Sequence, residues 1–418
     1  MTGVTKRPFY GWIVLGAAFL IISMAIGTLF TLGVFLKPIE DALGWSRSSI
    51  GAISFLNWVV MGVGGLVAGY LSDRFGTRVV VLGGGAVLGL GLVLSSRVTE
   101  PWQFYLTFGV MVGGGVSCFY VPLTVTAIRW FEDRRGMAAA IVSAGNGFGI
   151  LTLSPLCRWL IDTFDWRTAF WVLGDLAWLV VLPAGLLLRP APGEAAAAAP
   201  RAAARAPEPS IAAAGAAAVR AWPFWAIALT HFACCAAHSG PIFHMVSHAI
   251  DQGVGSMAAA GLLGASGLSS ILGRVATGLV ADRWGAKQTL LAALVFQALM
   301  VFAYLFVRDV AGLYVLGLLF GIAYGSAMPL YALLTREYFG ERVMGTVYGA
   351  VFMISCAGMG LGSWAGGAIH DALGSYQWLF VGSFAIGAAA ALIGLALRPP
   401  VRLGVPARRS GQPLTTAP

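Results

Sequence analysis

GYLSDRFGTR, Gly69 to Arg78, returns as GLVADRWGAK, Gly278 to Lys287, 209 positions further along the chain. Pro122-Leu123 likewise recurs as Pro329-Leu330 at an offset of 207, and Phe131 with Arg134 recurs as Phe339 with Arg342 at 208. Three separate matches at nearly one offset mark the chain as an internal duplication. Each Asp-Arg copy follows a long apolar run, so the repeated unit is built from apolar helices.

The composition says where such helices reside. Of 418 residues, 58% are hydrophobic and 10% charged, whereas in soluble domains charged residues approach a quarter. Runs of about 20 apolar residues, enough for a hydrocarbon core of about 30 Å, recur twelve times. The spans read Tyr10 to Phe35, Ser48 to Leu71, Arg78 to Ser96, Trp102 to Ile128, Gly136 to Leu156, Thr168 to Leu188, Trp222 to Ala249, Met257 to Ala281, Gln288 to Val307, Ala311 to Leu334, Gly345 to Ile369 and Tyr376 to Leu397. The fold class is therefore an all-α membrane protein, with twelve transmembrane helices in two six-helix pseudo-symmetric halves. The 56 glycines suit close helix packing in lipid. Lys6 and Arg7 precede the first run, which continues to Lys37 without a small-residue cleavage site and so reads as a retained helix. All five cysteines fall inside apolar segments, so no disulfide framework is implied.

The domains divide as residues 1–189, a six-helix half; 190–221, an Ala/Pro/Arg linker expected to be flexible; 222–398, the second half; and 399–418, a disordered tail. The net charge of +9 reports topology and not a nucleic-acid partner. Lys37, Arg47, Arg97, Arg158, Arg167 and Arg308 fall on one face, Arg274 lies within a span, and the remaining 19 of 26 basic residues fall on the other face. By the positive-inside rule that richer face is cytoplasmic and holds both termini, in a bacterial inner membrane. Parallel six-helix halves place a substrate site near the midplane at their interface.

Arg274 lies inside the apolar stretch LLGASGLSSILGRVATGLVAD, Leu262 to Asp282. A charge at that depth faces a protein interior or a watery cavity, the competing reading being an arginine that snorkels to the headgroups. Filtering polar residues by depth adds Asn57, Tyr120, Asn146, His238, Tyr331, Ser355 and Cys356. A guanidinium fork with tyrosine and amide donors outlines a carboxylate site, although Asn57, Asn146 and Cys356 also read as packing or interhelical hydrogen-bonding residues. The seventh span carries His231, His238, His244 and His248, with Gly240-Pro241 expected to interrupt it as a moving gate. His244 and His248 share a helical face and read as proton-sensitive or structural groups. Asp73, Arg74, Arg78, Arg134, Arg135, Asp282, Arg283 and Lys287 lie on the basic face, as a breakable latch between helix ends or as plain topology determinants.

The two Asp-Arg loops resemble the signature of the major facilitator superfamily. Tyr10-Gly11-Trp12, RWFEDRRGMAAAIVSAGNGFG from Arg129 to Gly149, GPIFHMVSHAIDQG from Gly240 to Gly253, and Pro329 to Gly349 together resemble its bacterial monocarboxylate transporter and oxalate/formate antiporter branch. The resemblance implies that Arg274 matches the family's substrate arginine, Tyr120 its fourth-helix tyrosine and Lys37 its outer lysine, a candidate for proton coupling. Animal members carry an acid one turn before that arginine, where this chain has Ser270.

The expected function is secondary active transport of lactate- or pyruvate-like monocarboxylates, with a proton in symport. The alternatives are a carboxylate exchanger, a drug exporter and a non-transporting membrane sensor. No paired carboxylates or nucleophile at common depth points to an enzyme. No cofactor and no metal are expected, and the partners are a small organic anion, a proton and the bilayer, with the protein a monomer.

Overall fold

The structure is a computed structural model that describes residues 10–131, 135–191, 211–340 and 344–397, apart from the side chains of residues 73, 135, 211–214, 344 and 345. Twelve helices in it are long and apolar enough to cross a membrane. They are α1 (Gly11–Leu43), α2 (Arg47–Phe75), α3 (Thr77–Ser95), α4 (Pro101–Trp130), α5 (Arg135–Thr163), α6 (Trp166–Leu186), α7 (Trp222–Asp251), α8 (Ser256–Trp284), α9 (Ala286–Ala303), α10 (Val310–Phe339), α11 (Met344–Leu373) and α12 (Gln377–Leu395). The even-numbered helices end on the face that holds Tyr10, called here the termini face, and the odd-numbered helices end on the far face.

Within each half α1 packs on α5 and α7 on α11, while α3 with α6 and α9 with α12 form the flanks. Across the interface α2 packs on α11, α5 on α8, and α1 meets α7. Glycine permits these seams in the absence of any hydrophobic drive between helices in lipid. A Cβ on Gly147 would overlap the Gly267 carbonyl across α5–α8, and one on Gly367 would overlap the Arg47 carbonyl across α11–α2.

Three local features depart from the expectations drawn above. First, α1 continues through Pro38 to Leu43, where Gly44 at φ 67° caps it, so Lys37, Glu40 and Asp41 ride on a helix end beyond the apolar span. Second, Gly240-Pro241 does not interrupt α7, which runs unbroken through both residues. Gly240 instead accommodates Leu379 and the Gly362 carbonyl, while proline removes a single backbone donor. Third, Ile211–Arg220, the last part of the linker, is helical. That stretch lacks proline and is rich in alanine, so helix propensity prevails there, and Ala218 is buried. Residues 192–210 of the linker and the tail lie outside the described residues.

The break falls in α4 instead. Tyr105–Val112 winds as a π-helix, and regular helix ends at Ser117 and resumes at Tyr120. Pro122 contributes at the second of these places, since its ring crowds the Cys118 carbonyl four residues earlier. The Asn57 side chain donates to the Phe108 carbonyl within the π-segment at 2.8 Å, an instance of a side chain serving backbone that an irregular turn exposes.

The α8–α10 contact is equally tight, because a Cβ on Gly325 would overlap the Ser270 carbonyl. Gly325→Val is expected to cost about 1–3 kcal/mol through overpacking, seen as a lowered melting temperature of the purified protein in detergent.

Candidate functional site

Two arginines organise the interface, in opposite ways. Arg47, at the first turn of α2, is only 2% exposed yet fully engaged. Its Nε donates to the two Glu40 oxygens at 3.1 and 3.0 Å, Nη1 and Nη2 grip the Asp251 carboxylate at 2.6 and 3.1 Å, and Nη1 also donates to the Tyr376 hydroxyl at 2.7 Å. Glu40 belongs to the same half as Arg47, whereas Asp251 and Tyr376 belong to the other. A buried charge persists only when its donors are met in this way. The Asp371 carboxylate, at the end of α11, adds acceptors for the backbone N–H of Arg47 at 3.2 Å and of Ser48 at 2.8 Å. The far ends of the halves are thereby closed on each other.

The histidines join this closure. His244 Nε2 lies 2.9 Å from the Ser363 carbonyl, so it carries a proton, and Nδ1 at 3.1 Å then accepts from the Tyr376 hydroxyl. A chain of hydrogen bonds thus runs Arg47, Tyr376, His244, Ser363. Ser363, Ser54, Ser239 and Trp58 line a small void beneath the closure, with space for about one water. His370 Nε2 stands 3.7 Å from Asp251. Lys37 pairs with Glu40 at 3.5 Å and Asp41 at 3.6 Å on its own helix. His248 packs on Phe380, ring centroids 5.0 Å apart, and its buried Nε2 has no partner.

Arg274 is the reverse case. Its Nη1 donates to the Ser143 hydroxyl of α5 at 3.1 Å, its Nε is buried without a partner, and among the described residues no carboxylate pairs with it. His238, Tyr324 and Tyr348 lie within electrostatic reach of the guanidinium. His238 stacks on Tyr324 with centroids 5.6 Å apart, and its Nδ1 lies 2.7 Å from the Cys234 carbonyl. Tyr120 stacks across the interface on Phe352 at 5.7 Å and 5°, and Phe352 leads on to Tyr348 at 6.4 Å. Asn146, one turn after Ser143, has a buried Oδ1 without a partner, as does Asn57. An unfilled cationic donor with aromatic rings near it is an arrangement suited to a small anion with an apolar body.

Several residues selected by depth are placed elsewhere. Tyr331 is fully buried inside its own half, stacked on His231 at 3.9 Å with its hydroxyl donating to the Thr230 carbonyl at 3.3 Å. Tyr324, two turns earlier on the same face of α10, stands beside Arg274 instead. Ser355 bonds the Phe352 carbonyl of its own helix, and Cys356 packs against Gly62. Ser270 is fully buried, bonded to the Gly267 carbonyl and wedged between Gly147 and Gly325, so an acidic side chain has no room there. At the termini face Arg74, Arg78, Asp282 and Arg283 are exposed, and Lys287 donates to the Leu395 and Leu397 carbonyls, which cap the end of α12. The Asp73 and Arg135 side chains and the whole of Arg134 lie outside the described residues.

A model of the Major Facilitator Superfamily matches residues 18–363. The chain belongs to the Major Facilitator Superfamily. Among curated relatives in the superfamily, human monocarboxylate transporter 11 is 30% identical, with 94% of this chain and 86% of that protein covered. Bovine monocarboxylate transporter 13 is 28% identical over 92% of this chain and 89% of the relative. The mouse monocarboxylate transporter 11 match, at 32%, spans 66% of this chain and 60% of that protein. Among solved structures, a nucleoside transporter superposes with a TM-score of 0.74 at 13% identity, covering 93% of this chain and 99% of that one. A bacterial homologue of the human lysosomal transporter Spinster superposes at 0.71 and 15% identity, over 94% and 97% of the two chains. These likenesses share the fold, and the family and its relatives are membrane transporters.

Tyr376→Phe removes the hydroxyl between Arg47 and His244 and is expected to cost about 1–3 kcal/mol, the usual penalty for an unmet buried donor. A lowered unfolding temperature at unchanged helix content checks it.

Proposed function

We propose that this chain is a secondary active transporter of small monocarboxylates, of lactate or pyruvate size, working by alternating access in symport with a proton. The observation that carries the reading is Arg274, whose buried Nε has no partner while every donor group of Arg47 is engaged. A bound carboxylate supplies the missing acceptor, and the idle Nε with the neighbouring Nη offers the bidentate fork that carboxylates match. The flat walls of Tyr120, Phe352 and Tyr324 suit a short carbon skeleton. One guanidinium suits one carboxylate, and the curated relatives are monocarboxylate transporters by name.

The topology is the one expected from the basic residues, with the termini face cytoplasmic. Under it the far face is periplasmic, the Arg47 closure is an outer gate, and the exposed loop charges at the other end belong to an inward-facing state. His238 is the proton acceptor. Contact of Nδ1 with the Cys234 carbonyl holds the proton on that nitrogen, leaving the Nε2 lone pair on a ring within electrostatic reach of Arg274. A proton on His238 adds positive charge next to the anion, so the two bind together and leave together.

Proteoliposome uptake of labelled lactate tests the reading. Flux is expected to rise with an inward proton gradient, to vanish in Arg274→Ala and to lose its gradient dependence in His238→Gln. Flux that ignores the gradient and requires internal anion would indicate exchange instead. A protein that moves no carboxylate under any gradient would overturn the proposal.

A further inference from the structure

The far-end closure obeys the same repeat as the Asp-Arg loops. Arg47 and Ser256, the first residues of α2 and α8, are 209 positions apart, as are Asp162 and Asp371 near the ends of α5 and α11, and Arg158 and Gly367 one turn before those acids. Both acids reach across the interface to the first turn of a helix in the opposite half. Asp371 accepts the backbone N–H groups of Arg47 and Ser48, and Asp162 accepts the Ser256 hydroxyl at 3.2 Å. Carboxylates are favoured at helix N-termini because free N–H groups and the positive end of the helix dipole converge there.

The two seams differ by an exchange of their arginine. On the α2–α11 side arginine stands at the helix start, as Arg47, and glycine at the facing position, as Gly367. The α5–α8 side has serine at the helix start, as Ser256, and arginine at the position equivalent to Gly367, as Arg158. Gly367 lets the Arg47 backbone come close enough for two amides to reach Asp371. Arg158, bonded to Asp162 along its own helix, draws that carboxylate onto itself, and across the seam Asp162 meets the Ser256 hydroxyl and no backbone amide.

We propose that the far end is closed by a duplicated carboxylate clamp in which Asp371 is the lock and Asp162 the weaker catch, so that the α5–α8 seam parts first. Arg47 bridges the halves while Arg158 stays within its own helix, and a pair within one helix does not resist separation of the halves. The two acids are positioning residues that set the balance between closed and open far faces. This rests on alternating access and not on the identity of the substrate.

Spin-label distances in the full chain, in nanodiscs without substrate, test it. Labels at Ala42 and Leu373 report the α2–α11 side, and labels at Phe164 and Met257 report the α5–α8 side. Asp371→Asn is expected to raise the open population at both pairs by roughly tenfold, and Asp162→Asn by roughly threefold and chiefly at the Phe164–Met257 pair. Gly367→Ala, which forces Arg47 away from α11 without altering charge, is expected to reproduce Asp371→Asn and carries the test if that variant fails to fold. Distances unchanged in Asp371→Asn and Gly367→Ala, or equal shifts from the two acids, would overturn the clamp. Neither result bears on carboxylate binding at Arg274.

Discussion

The structure depends on how a guanidinium is satisfied away from water. Arg47 stands where two helices of one half meet two of the other, and five hydrogen bonds to Glu40, Asp251 and Tyr376 hold it there. Removing one partner leaves a buried charge uncompensated, so the α2–α11 side of the far end holds or opens as a unit. Separation must expose Arg47 and its carboxylates to water at once, which repays the lost contacts with hydration. A switch between two arrangements that each satisfy the charge, one by protein partners and one by water, is bistable in the sense that alternating access requires.

Arg274 is the counterpart left open. It sits on α8, whose start is held by Asp162 and whose end at the termini face carries the exposed Asp282 and Arg283. One rigid helix therefore links the anion donor to both faces of the protein. The chain from Arg47 through Tyr376 and His244 to Ser363 reaches from the closure to the void beneath it.

The fold was legible because it rests on long-range regularities: apolar run length, basic-residue asymmetry and a 209-residue repeat all survive without knowledge of side-chain contacts. The depth of Arg274 and Tyr120 within their helices was legible for the same reason, since depth within an apolar run is a sequence property. Rotation about the helix axis was not, and so Tyr331 was selected where Tyr324 faces the arginine. Arg47, Asp251 and Asp371 escaped notice because a charge at the end of a span reads as a membrane boundary. Only alignment of the two repeats, pairing Arg47 with Ser256 and Asp371 with Asp162, carried a signal for the closure. The α4 break was hidden too, since Pro122 and Pro329 are equivalent in the repeat yet α10 runs through its proline without interruption.

The central claim is that Arg274 is an anion site awaiting its acceptor. Calorimetric titration of the purified protein with lactate and with its uncharged amide tests it most directly. The account predicts heat of binding for the acid anion alone, weakened at least roughly tenfold in Arg274→Lys, where the planar fork is lost. Equal binding of acid and amide, or full affinity in the lysine variant, would contradict it.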